Sequence, residues 1–127
     1  MKVLVDTSVW IDYFRGSEKA EPLDLLLEQN VIYTNELILA ELVPYLKLKN
    51  KKKVIKLLQS ISKLELKIDW DEIAKIQYKC LKAGINGIGI PDLIIAQNVK
   101  QNNCQLYTLD KHFQLIKGIV KINLFIA

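Results

Sequence analysis

Histidine, arginine and cysteine are nearly absent from this chain. His112 is the only histidine, Arg15 the only arginine, and Cys80 and Cys104 the only cysteines in 127 residues. The two cysteines have no metal-ligand spacing, which argues against a zinc module and reads each thiol as a buried small hydrophobe rather than half of a disulfide. No apolar run approaches the roughly 20 residues that a membrane-spanning helix needs. The first residues read at once as a strand and not as a leader peptide, so a cytoplasmic protein without a membrane partner is expected. Internal repeats, low-complexity tracts and linkers are also lacking, and residues 1–127 are expected to form a single domain with one core. With one arginine, the net charge of +4 is a lysine excess. It suits a polyanionic partner without demanding one.

What is present is an alternation of short apolar runs and helical patterns. Val3-Leu4-Val5 ends in Asp6-Thr7-Ser8 and reads as a buried strand that turns into a helix over residues 8–15. Pro22 opens a second helix, and residues 31–34 form a second strand. Asn35 is placed to cap an apolar helix through Val43, which Pro44 should kink or locally open. A lysine-rich turn leads into a helix whose inward stripe is Val54, Leu57, Leu58 and Ile61. Residues 64–68 alternate with period two and read as a third strand near an edge. Helices follow over residues 71–83 and from Pro91 to about Gln101, then strands at 105–109 and 119–122. Strand and helix alternating throughout predict an α/β fold with a mostly parallel central sheet, in which ligands bind beyond the carboxyl ends of the strands.

Four acids stand out. Three have an ordinary explanation: Asp6 as an N-cap, Asp92 as a first-turn acid favoured by the helix dipole, and Asp110 as a turn residue. Glu41 lies within an apolar helix with no charged neighbour three or four residues away. Burial there would demand a partner. That partner is a distant lysine, solvent if the helix rolls Glu41 outward, or a cation shared with other carboxylates. Asp6 and Asp110 would emerge side by side if their strands are neighbours. Asp92 begins a helix expected to start at the opposite end of the sheet, so it would need a tilted helix or a loop folded over the top. Four oxygen acids without a set of histidines or cysteines select Mg²⁺ or Mn²⁺ over zinc.

The segments Val5-Asp6-Thr7-Ser8-Val9-Trp10-Ile11, Leu39-Ala40-Glu41-Leu42, Ile90-Pro91-Asp92-Leu93-Ile94-Ile95-Ala96 and Leu106-Tyr107-Thr108-Leu109-Asp110-Lys111-His112-Phe113 together resemble a PIN domain, most closely the VapC toxin ribonucleases of toxin–antitoxin pairs. The resemblance runs along essentially the whole chain. It implies a three-layer α/β/α sandwich with first and fourth strands adjacent, and Asp92 delivered to the cluster. It implies Asp6, Glu41, Asp92 and Asp110 as metal-binding acids, with Thr7, Ser8 and Thr108 supporting them or the attacking water. It further implies Mg²⁺ or Mn²⁺, an RNA substrate, a homodimer and a VapB-like antitoxin. Three departures accompany it. His112 stands where many relatives have a second acid, Val43-Pro44 where a small residue is common, and Gln97-Asn98 where small residues are usual.

His112 otherwise reads as a solvated turn residue, with a general base as the alternative. The lysines from 47 to 56 read equally as a solvated face or as a contact for an RNA backbone or partner. Trp10, Tyr13 and Phe14 are core residues or the lining of a partner groove. Two rivals to a metal-dependent endoribonuclease are a non-catalytic PIN-fold binding module and a metal-dependent phosphohydrolase. For the latter, a dehalogenase-like phosphatase would want an acid where Ser8 stands.

Overall fold

The computed structural model describes residues 1–126. Five strands form one sheet in the order β3-β2-β1-β4-β5, and every neighbouring pair is parallel. They are β1 (Val3–Val5), β2 (Ile32–Thr34), β3 (Ser62–Lys63), β4 (Gln105–Tyr107) and β5 (Asn123–Leu124). The helices are α1 (Thr7–Phe14), α2 (Pro22–Glu28), α3 (Glu36–Leu48), α4 (Lys52–Ser60), α5 (Trp70–Lys82), α6 (Ile90–Gln101) and α7 (His112–Ile116), with a 3₁₀ turn at Glu18–Ala20. The chain steps from β1 outward to β3, then jumps back across to β4 and β5. Right-handed crossovers put helices of the two legs on opposite faces, giving the expected three layers. Accordingly α1, α3 and α4 pack together, as do α5, α6 and α7.

The core is continuous through both faces of the sheet. All three residues of β1 are fully buried, as a central parallel strand requires. Trp10 is fully buried and packs on Tyr13 and Phe14, which favours their reading as core. Both thiols are free and buried. Several helices end in one backbone device, a residue at positive φ whose neighbours' N–H groups turn back onto the last carbonyls. Asn30, Asn50 and Asn103 fill that position with φ of 56°, 56° and 51°, and Gly16 and Gly84 do so elsewhere.

Four expectations need correction. Helix α3 runs unbroken through Pro44. The carbonyl deprived of a donor belongs to Ala40, and Ala40 and Pro44 are both exposed, so water can satisfy it. On α4, Leu57 is 41% exposed, and Ile55 packs against the core beside Leu58. The last strand begins at Asn123 and not Ile119, because Ile119 and Val120 donate back to the Ile116 carbonyl and stay in the turn after α7.

The third strand is the most instructive case. Only Ser62–Lys63 are paired strand residues beside β2, and the Leu64 N–H adds a last bond to the Thr34 carbonyl (2.8 Å), yet burial alternates along residues 64–68 as the sequence pattern requires. Side-chain amides of α6 take the place of a strand partner. Asn98 donates to the Glu65 carbonyl (3.0 Å), Gln101 to the Lys67 carbonyl (2.9 Å), and Gln97 both donates to and accepts from the Asp69 backbone (3.1 Å each). Asn98 also accepts from the Asn35 amide at 3.0 Å, while Asn35 caps α3 by accepting from the Ile38 N–H. This explains why Gln97 and Asn98 stand where small residues are usual.

Truncating Asn98 leaves the buried Asn35 amide and the part-buried Glu65 carbonyl without their partner. Asn98→Ala should cost about 2–4 kcal/mol in a urea unfolding experiment, well above a simple surface truncation.

Candidate metal centre

Strand order reverses between β1 and β4, the crevice where open α/β sheets bind ligands. The Asp6 N–H donates to the Tyr107 carbonyl (2.9 Å), so the chain leaves both strands at one edge, with Asp6 beside the Thr108–Asp110 turn. Asp6 occupies the N-cap position of α1, but its side chain makes no capping bond. Oδ2 instead accepts two hydroxyl protons, from Ser8 (2.9 Å) and from Thr108 (2.8 Å). Each hydroxyl is itself oriented by a backbone donor, Leu109 N–H on Ser8 and Asp110 N–H on Thr108, at 3.1 and 3.0 Å. An ionised carboxylate can only accept, so both hydroxyls direct their protons at Asp6. Both bonds fall on Oδ2, which leaves Oδ1 free of hydroxyl donors.

Asp92 sits in the first turn of α6, and its Oδ2 accepts from the Gly89 N–H at 3.2 Å. A helix antiparallel to its following strand begins over that strand's carboxyl end, so Asp92 reaches the crevice directly. The tilt or folded-over loop that seemed necessary is not needed. Asp110 accepts from the His112 N–H (2.9 Å), which holds the first residues of α7 against it. Asp92, Asp110 and His112 each offer a ligand atom within 4.8 Å of the others. The His112 Nδ1 lies 3.3 Å from Asp110 Oδ1 and 3.8 Å from Asp92 Oδ2. His112 is therefore at the acids and not a bystander in a turn. Its one legible signal was its place two residues after Asp110.

Glu41 lies on the exposed face of α3, so of the alternatives the helix rolls it outward and does not bury it. The helix buries Ile38, Leu39, Leu42 and Leu46 and turns Glu41 outward into the crevice. There Thr7 donates to its Oε1 at 3.5 Å. Asp6 and Glu41 stand outside the tighter group formed by Asp92, Asp110 and His112.

Burial pushes the Asp6 carboxyl above its ordinary pKa, with the Asp110 charge adding to the effect and the two hydroxyls opposing it. Partial desolvation raises Glu41, helped by the charges of Asp6 and Asp92. Desolvation likewise raises Asp92, reinforced by Asp110 and Asp6. Asp6, Glu41 and Asp92 thus each feel the charge of at least one other acid of the group. Among the described residues, none of them lies within ion-pairing distance of a lysine or arginine; the only basic neighbour is His112. A hollow of 490 Å³ on α5, lined by Ala74, Lys75, Tyr78, Lys79 and Lys82, contains no acid and lies on a different element from any of them.

The sequence matches the PIN domain family over residues 3–119. The chain is a member of that family. PIN domains are generally nucleases. Among curated proteins, none matches the sequence. Among solved structures, this PIN domain is similar to VapBC2 from Rickettsia felis bound to a DNA fragment from its promoter, with a TM-score of 0.76, 21% identity and 98% of each chain covered. It is similar to DNA-bound VapBC from Salmonella typhimurium, with a TM-score of 0.73, 17% identity and coverage of 98% and 97%. FitAcB from Neisseria gonorrhoeae gives a TM-score of 0.70 at 22% identity, covering 98% and 96%. At such identities the likeness speaks to the fold.

The raised carboxyls make stability fall as pH rises. Between the ordinary and the raised pKa the folded chain holds more protons than the unfolded one, so each unit of pH gained there disfavours folding. Without divalent ions at pH 7.5, Asp6→Asn should melt above the wild type. The gain should shrink as pH falls and be gone well below the ordinary carboxyl pKa of 3.8, where Asp6 is protonated in the folded and the unfolded chain alike. Added Mn²⁺ should raise the melting temperature of the wild type by mass action and leave the variant nearly unmoved. A variant that melts lower at pH 7.5 would contradict this account of the cluster.

Proposed function

We propose that this PIN domain is a divalent-metal-dependent endoribonuclease, the VapC-type toxin of a toxin–antitoxin pair. The observation that carries the reading is the uncompensated carboxylate cluster at the β1/β4 switch point. Desolvated, mutually repelling oxygens with no lysine or arginine beside them are a donor set that needs a hard cation. Asp6, Glu41, Asp92 and Asp110 would hold Mg²⁺ or Mn²⁺, and His112 adds a nitrogen donor beside Asp92 and Asp110. When bound, such an ion supplies an activated water and offsets charge on the phosphodiester under attack.

The chain's own residues do the positioning. Ser8 and Thr108 fix Asp6 Oδ2 and so present Oδ1 to the crevice. Thr7 steadies Glu41 on the opposite wall. The Gly89 N–H keeps Asp92 turned into the site. With His112 replacing an acid, the cluster carries one negative charge fewer than in many relatives, which weakens any second ion site. The antitoxin partner is read from the likeness to VapBC complexes; the homodimer and the RNA substrate are read from the motif resemblance.

Cleavage of a labelled single-stranded RNA should require Mg²⁺ or Mn²⁺ and stop with EDTA. Asp6→Asn should lose it entirely while keeping the wild-type circular dichroism. A nuclease-free preparation of that variant that still cuts RNA would end this mechanism. Thr108→Val, which removes an oriented donor to Asp6, should lose about 10–100-fold in Mn²⁺ affinity by calorimetry. His112→Ala should weaken Mn²⁺ more than Mg²⁺, since a nitrogen donor favours the later metal. An equal loss for both ions would remove His112 from the ligand set.

A further inference from the structure

The chain's positive charge is concentrated in one place. Residues 42–62 hold six lysines and no acid; the other 106 residues carry twelve basic and fourteen acidic side chains and are net negative by two. These 21 residues run from the second half of α3 through its closing turn and α4 to the first residue of β3. Lys47, Lys49, Lys51, Lys52, Lys53 and Lys56 are all exposed. Among the described residues none of them pairs with a carboxylate, whereas Lys63, Lys67 and Lys100 pair with Glu36, Glu65 and Glu72.

Local stability does not account for them. Lys51, Lys52 and Lys53 stand at the N-terminal end of α4, which has no side-chain cap and no acid in its first turn. The helix dipole is positive there and disfavours cations. Yet the backbone under them is fixed. The Lys51 N–H donates to the Leu46 carbonyl (2.9 Å) and the Asn50 N–H to Lys47 (3.0 Å), closing the turn about Asn50, while Leu46 and Leu58 are buried. The turn thus holds the like charges in a set array. Glu41 belongs to the same helix, six residues before Lys47, or about 9 Å along the axis.

We propose that the α3–α4 hairpin grips the phosphate backbone of the RNA strand that is cut at the acids. The inference rests on the ribonuclease reading above. The carboxylate cluster repels phosphate, so a strand entering the crevice needs positive charge close by on its path. Lysines meet phosphates as point charges and carry no base preference. Leu48 and Leu57 are the only large apolar side chains exposed on the hairpin, which suits a charged backbone better than a peptide needing a buried anchor.

The test compares wild type with K51Q/K52Q/K53Q, using K75Q/K79Q/K82Q on α5 as a control of equal charge change. Binding of fluorescein-labelled single-stranded RNA is followed by anisotropy in EDTA, where no cleavage occurs, across a salt series. The hairpin variant should bind at least about 10-fold more weakly and lose about 2 from the slope of log affinity against log salt, at roughly 0.7 per phosphate contact. With Mn²⁺ its KM for RNA should rise while kcat is kept. The α5 control should stay near wild type. Equal losses in both variants, or an unchanged KM in the hairpin variant, would overturn the assignment. So would unchanged RNA binding with lost binding of labelled oligoglutamate, which would make the hairpin a dock for acidic protein. If the wild type itself cuts no RNA with Mn²⁺, the ribonuclease reading fails and the hairpin assignment with it. A cutting wild type with an unaffected variant refutes the hairpin alone.

Discussion

Mutual repulsion among Asp6, Glu41, Asp92 and Asp110 is the constraint around which this structure is arranged. Among the described residues no lysine or arginine stands close enough to relieve it, and the burial of Asp6 makes it stronger. Elsewhere three acids, Glu36, Glu65 and Glu72, stand within ion-pairing distance of a lysine. Folding therefore assembles the cluster against its own electrostatics, and apolar burial in β1, α1 and α6 carries the cost. A site that is unfavourable when empty gains by admitting a cation, and affinity and specificity share that origin.

The basic hairpin is the counterpart of this arrangement. Negative charge is gathered at the strand ends and positive charge at the tip of α3–α4, with Glu41 and Lys47 six residues apart on one helix. Scattered evenly, the same residues would give the same net charge and no direction. Separated, they make a surface with one negative and one positive region.

Much of the fold was legible because the signals were local. Val3-Leu4-Val5 reads as a buried strand, and Asn35 reads as a cap and is one. The strand at 64–68 was misread because period-two burial reports alternating environment and not backbone pairing, and amides of α6 supply the pairing here. The start of β5 was misread because apolar residues at 119–122 serve the core from a turn as well as from a strand. At the site, Asp6 and Asp110 followed from strand adjacency. Glu41 was chosen for a burial it does not have. Its place came from motif resemblance, while an apolar helix can still turn one face to a crevice. His112 was discounted because frequency places a lone histidine at the surface, and spacing alone could not aim its ring at two carboxylates.

The buried bond between Asn35 and Asn98 joins the two helices that carry Glu41 and Asp92. Each acid stands six residues from its asparagine, about 9 Å along its own helix axis. The repulsion between those two acids therefore acts on helices already joined by a buried amide pair. Residues that never touch what enters the crevice thus take part in holding its walls.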